Sequence, residues 1–103
     1  MTEYGKLVRD KIPEVIQNDG RTAVVRIATD EECWTALCGK LFEEIKEFTE
    51  NPSREEYANL KEVMSAIREF KGWFIHDTDS IRFANRSARG GFDQRFILDS
   101  ASD

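Results

Sequence analysis

The sequence predicts an all-α fold, a helical bundle of about four helices organised around an antiparallel helical hairpin. Two long segments, near 30–50 and 54–70, repeat apolar residues at helical spacing. Each opens with a hydroxyl residue followed by acidic residues, the pattern of a capped helix start. The break between them, Asn51-Pro52-Ser53, is so short that the helices must be antiparallel neighbours.

Leu7, Val8, Ile12, Val15 and Ile16 recur with helical spacing, and Gly20 follows Asn18-Asp19 as a stop. Pro13 has no N–H to give the preceding turn, so it either kinks this first helix or marks the start of its regular part. Thr22 to Ala28 is short and rich in β-branched residues, which fits a strand or an extended connector at 22–28. Thr29 then caps a long helix running to about Glu50, with Trp34, Leu37, Leu41, Ile45 and Phe48 as its apolar stripe. Ser53-Arg54-Glu55-Glu56 opens the next helix, whose stripe is Tyr57, Leu60, Val63, Met64, Ile67 and Phe70; Gly72 ends it. A fourth helix is predicted from Asp77 to Ala88, stopped by Gly90-Gly91 before an extended tail holding Phe96, Ile97 and Leu98.

At 103 residues the chain fits one domain, 1–103, with a thin core that helix pairing between subunits would supplement. The apolar runs fall well short of the ~20 residues that cross a bilayer. The opening Met1-Thr2-Glu3-Tyr4 has no apolar signal segment, so no membrane partner and a cytoplasmic location are expected. Cys33 and Cys38, five apart on one helix, point to different faces and form neither a disulfide nor a metal pair. A net charge of −5 argues against duplex nucleic acid as a partner. The charge is uneven: Lys6, Arg9 and Lys11 lie near the start and Arg82, Arg86, Arg89 and Arg95 near the end, while acidic residues crowd the middle. A metal–phosphate ligand suits that distribution.

The second helix carries Glu43-Glu44-Ile45-Lys46-Glu47 and the third opens with Glu56-Tyr57-Ala58-Asn59. Residues three apart are surface neighbours on a helix, so Glu44 pairs with Glu47 and Glu56 with Asn59. At about 100° per residue, Glu44 falls at the edge of its helix's apolar stripe and Glu47 on the flank. Glu56 falls inside the other stripe and Asn59 at its border. Facing carboxylates at such positions repel one another unless a cation lies between them, and oxygen-only ligation favours Mg²⁺ or Mn²⁺ over zinc. Simpler roles compete. Glu43 reads as part of a solvated face, and Glu56 is claimed equally by the capping box and by the metal. His76 is the only histidine and reads as a cap or surface residue. Trp34, Trp73, Phe74, Phe92 and Phe96 read as core or subunit interface, with base stacking open to one of them.

Three segments resemble the MazG-like nucleoside triphosphate pyrophosphohydrolases. Lys6-Leu7-Val8-Arg9-Asp10-Lys11-Ile12-Pro13 resembles the start of small members of that superfamily. Glu43-Glu44-x-x-Glu47 followed by Glu56-x-x-Asn59 resembles their metal motif, and Arg89-Gly90-Gly91-Phe92 resembles a common ending. The resemblance implies an all-α homodimer or homotetramer that hydrolyses a nucleoside triphosphate to monophosphate and pyrophosphate with Mg²⁺, Mn²⁺ being an alternative. It implies Glu44, Glu47, Glu56 and Asn59 as the metal set, with Glu44 and Glu47 catalytic. The basic residues of its end motifs, Lys6, Arg9, Lys11 and Arg89, become phosphate contacts, although ordinary surface charge explains each one equally well. The family's final Asp is Asn59 here, which offers a carbonyl oxygen but no charge and no base. This lowers metal affinity and weakens the hold on a second metal; Glu62 could compensate only from about one turn away. The alternative is a catalytically inactive relative that binds nucleotide or a protein partner.

Overall fold

The computed structural model describes residues 2 and 4–103. Met1 and Glu3, part of the opening stretch read above for a signal segment, lie outside the described residues. The four described helices are α1 (Ile12–Asn18), α2 (Asp30–Glu50), α3 (Arg54–Phe70) and α4 (Ile75–Arg89), and no strand occurs among the described residues. The all-α class is therefore observed. The chain divides into two compact units, Met1–Lys71 and Gly72–Asp103.

In the first unit, α1 begins at Ile12, so Pro13 marks the start of a helix instead of kinking a longer one. In the first turn its missing N–H costs nothing, since no intrahelical acceptor awaits that donor. Leu7 and Val8, despite their spacing, precede the helix. Residues 22–28 form a connector, not a strand. The connector is tied to the following helix by the Arg26 guanidinium, which donates to both carboxylate oxygens of Glu32 at 2.5 and 2.6 Å. The pair is exposed, so it orients the chain more than it stabilises it.

Thr29 caps α2 as its sequence suggests, its Oγ1 accepting from the Glu32 backbone N–H at 3.2 Å. Asp30, Glu31 and Glu32 place negative charge against the helix's positive end. Ser53 caps α3 in the same way, accepting from the Glu56 N–H at 3.1 Å. α2 and α3 pack along their length as an antiparallel hairpin. Two aromatic contacts fix the register. At the loop end, Phe48 meets Tyr57 with ring centroids 6.1 Å apart. At the open end, Trp34 stacks on Phe70 at 5.9 Å, and the Lys71 ammonium lies 4.0 Å over the Trp34 ring. Between them Leu37, at 6% exposure, is the one buried apolar residue described. Phe42, Ile45 and Met64 on the same two helices are left exposed, Phe42 at 72%.

In the second unit, α4 extends two residues beyond its expected start and one beyond its expected end. His76 lies exposed in its first turn. The helix closes on Gly90, whose φ of +87° a β-carbon would strain. Beyond it, Phe92, Phe96, Ile97 and Leu98 are exposed.

Candidate functional site

The loop end of the hairpin brings the predicted carboxylates together. Glu44 and Glu47 project from neighbouring turns of α2, and Glu56 sits in the first turn of α3, where the Ser53 cap positions its backbone. One carboxylate oxygen from each of the three lies within 4.8 Å of the others. Glu44 and Glu56 are half-buried and Glu47 is exposed, as the helical count from the apolar stripes requires.

The electrostatics of this cluster are unbalanced. Oε2 of Glu44 and Oε2 of Glu56 are both shielded from solvent without a hydrogen-bond partner. Buried polar atoms are normally satisfied, so two shielded acceptors in one carboxylate cluster favour a proton shared between the carboxyls or a cation among them. Burial pushes the Glu44 carboxyl above the ordinary glutamate range, the neighbouring Glu56 carboxyl adds to this, and the charges of Glu47 and Glu43 add further. Either a proton or a cation would relieve it. An all-oxygen set of three carboxylates suits a hard divalent cation, so the residues fit such an ion.

The two competing roles of Glu56 are divided between its atoms. The backbone N–H serves the Ser53 cap, while side-chain Oε2 remains without a partner at the cluster.

Asn59, the remaining member of the expected set, is half-buried one turn beyond Glu56. Its Oδ1 accepts from Nη2 of Arg9 at 3.2 Å. Of the expected phosphate contacts, Arg9 is thus the one joined to the hairpin near the cluster. Lys6 is exposed, with its ammonium 5.9 Å from the Tyr4 ring centroid, and Lys11 is an exposed residue at the N-cap of α1. Arg89 belongs to the second unit, where it lines an open cavity with Arg82, Asn85, Arg86, Gly91 and Phe92. Sequence reasoning grouped Arg82, Arg86, Arg89 and Arg95 as one basic flank. The signal that separates the first three is their i, i+4, i+7 spacing on α4.

A protein of Mycolicibacterium smegmatis, described as uncharacterized, is 48% identical over 50 residues, which make up 48% of this chain and 51% of the relative. The match thus spans about half the length of each. No family model matches the chain, and no solved structure matches it. No described helix is long and apolar enough to cross a membrane.

Proposed function

We propose that the chain is a MazG-like, metal-dependent nucleotide pyrophosphohydrolase that converts a nucleoside triphosphate to monophosphate and pyrophosphate. The observation that carries this reading is the cluster of Glu44, Glu47 and Glu56, in which the shielded oxygens of Glu44 and Glu56 favour a cation. Mg²⁺ is the preferred ion and Mn²⁺ the alternative, since both accept oxygen-only ligands. Bound among these carboxylates, the ion would offset charge on the substrate phosphates. The residues themselves do the rest. Glu44 and Glu56 hold the cation from half-buried positions, while exposed Glu47 can also orient a water and accept its proton. The water's oxygen forms the new bond to phosphorus, and the departing pyrophosphate takes the electron pair of the broken P–O bond. Arg9 lies on the Asn59 side of the cluster and can reach phosphate oxygens, with Lys6 and Lys11 of the same unit as further phosphate contacts.

The assay is pyrophosphate release from a panel of standard and modified nucleoside triphosphates with Mg²⁺ or Mn²⁺. Turnover by the wild type that disappears in Glu47→Gln supports the enzyme. Turnover that persists in both Glu44→Gln and Glu47→Gln excludes this site as its source.

One contact favours a second reading, a catalytically inactive relative that binds nucleotide or a protein partner. The Arg9 guanidinium engages the Asn59 carbonyl oxygen, the atom that would otherwise be offered to a metal. Silence from the wild type with activity gained by Asn59→Asp would establish this reading. We further propose a homodimer or homotetramer in the cytoplasm. A single buried apolar residue among the described residues, beside exposed Phe42, Ile45 and Met64, supports association, and the free thiols of Cys33 and Cys38 suit a reducing compartment. A concentration-independent monomer in sedimentation equilibrium would exclude the oligomer.

A further inference from the structure

The second unit carries a polar constellation in which the carboxylate cluster has no part. Arg82, Arg86 and Arg89 occupy i, i+4 and i+7 on α4, so their side chains leave the helix within an arc of about 60°. Just past the helix, Gly91 passes close beneath the Arg86 side chain. A β-carbon at position 91 would lie 2.9 Å from Nη1 of Arg86 and 3.2 Å from Cζ. A side chain at position 91 would push the guanidinium aside. With Asn85 and Phe92 these residues line an open, solvent-facing depression of about 540 Å³.

The charges are poorly balanced. Asp93 lies 3.7 Å from Nη2 of Arg86, but both side chains are exposed, so the pair is weak and displaceable. Among the described residues, no acidic group pairs with Arg82 or Arg89. The negative end of the helix dipole accounts for Arg86 and Arg89 in the last turn. It does not account for Arg82, which lies about two turns from the helix end.

We propose that this pocket binds a small oligophosphate anion, of the pyrophosphate class, through the guanidinium groups of Arg82, Arg86 and Arg89. Guanidinium forks match phosphate oxygens in pairs, and three of them on one face exceed what one carboxylate can satisfy. Three guanidinium groups spread along about two turns of the helix span more than one phosphate, which favours two or more linked groups. The site requires no metal and none of the glutamates, and all of its residues belong to the second unit.

The test is calorimetric titration of the full-length chain with sodium pyrophosphate in EDTA, at constant ionic strength. Saturable binding by the wild type is expected. Losing one charge-assisted contact in Arg82→Gln or Arg86→Gln should weaken it by about tenfold or more. Gly91→Ala should weaken it several-fold by displacing the Arg86 guanidinium, with unchanged helicity and melting temperature. Glu44→Gln and Glu47→Gln should bind as the wild type does, which separates this site from the metal cluster. Absence of saturable binding by the wild type overturns the proposal. So does equal affinity across the arginine variants, or a loss confined to the glutamate variants.

Discussion

Glu44→Gln should change the stability of the chain in opposite senses with and without a divalent cation. In EDTA the wild type holds the Glu44 and Glu56 carboxylates at no more than 4.8 Å between their nearest clustered oxygens, with Glu47 equally near. At that separation two unit charges repel by about 1 kcal/mol in a water-like dielectric and by about 3 kcal/mol at an effective dielectric near 20. Both groups are only half-buried, so the lower figure is the better guide. The neutral amide removes that repulsion, and a gain of about 1 kcal/mol corresponds to a rise of about 4–8 °C in melting temperature for a domain of this size. With Mg²⁺ present the order changes. At ten times its dissociation constant a ligand of the folded state adds about 1.4 kcal/mol, which the wild type gains and the variant largely forgoes. Thermal unfolding followed by far-UV circular dichroism, in EDTA and across a Mg²⁺ titration, reads both effects. A variant less stable than the wild type in EDTA, or one stabilised equally by Mg²⁺, would refute the picture of a strained carboxylate cluster.

Three further outcomes follow from the same structure. The raised Glu44 pKa means that the folded chain holds this proton more tightly than the unfolded one. The contribution is therefore complete below the ordinary value near 4.5 and is lost as pH rises through the folded value. In EDTA, acidification from neutral pH should accordingly raise wild-type stability relative to Glu44→Gln, as paired melts at several pH values would record. Leu37→Ala removes the one buried apolar side chain between α2 and α3 and should cost about 2–3 kcal/mol, the low end for a core leucine because its surroundings are open enough to collapse; urea denaturation measures it. Ser53→Ala should cost about 1 kcal/mol through the lost cap of α3. It should also weaken Mg²⁺ binding, because the same hydrogen bond positions Glu56, and a cation titration of the variant would reveal this.

The parts of the fold that local chemistry specifies were readable from the residues alone. Thr29 and Ser53 each accept the hydrogen bond that their cap patterns announce, and Asn51-Pro52-Ser53 dictates the antiparallel hairpin. The i,i+3 spacing of Glu44 and Glu47, together with the place of Glu56 in the next helix, was enough to bring three carboxylates to one seam. Residues 22–28 were ambiguous for a physical reason. β-branched residues favour extended backbone, but an extended segment becomes a strand only where a second one pairs with it, and none does here among the described residues. The Arg9–Asn59 hydrogen bond was out of reach because it joins positions 50 residues apart, and no periodicity reports on such a contact. The approach of Arg86 to Gly91 was hidden in a similar way, since it depends on how the chain turns after Gly90.

The turn at Asn51-Pro52-Ser53 also bears on when the cluster exists. Glu44 and Glu56 are separated by a short stretch of chain whose middle is already a tight bend, so bringing them together costs little loop-closure entropy. The opposite end of the hairpin, held by Trp34 and Phe70, closes a far longer loop and should open first when the helices breathe. Partial opening from that end leaves the carboxylates facing one another. The acidic seam should thus close early as the hairpin zips and separate late, and a cation captured there would act as a clasp on the folding unit itself.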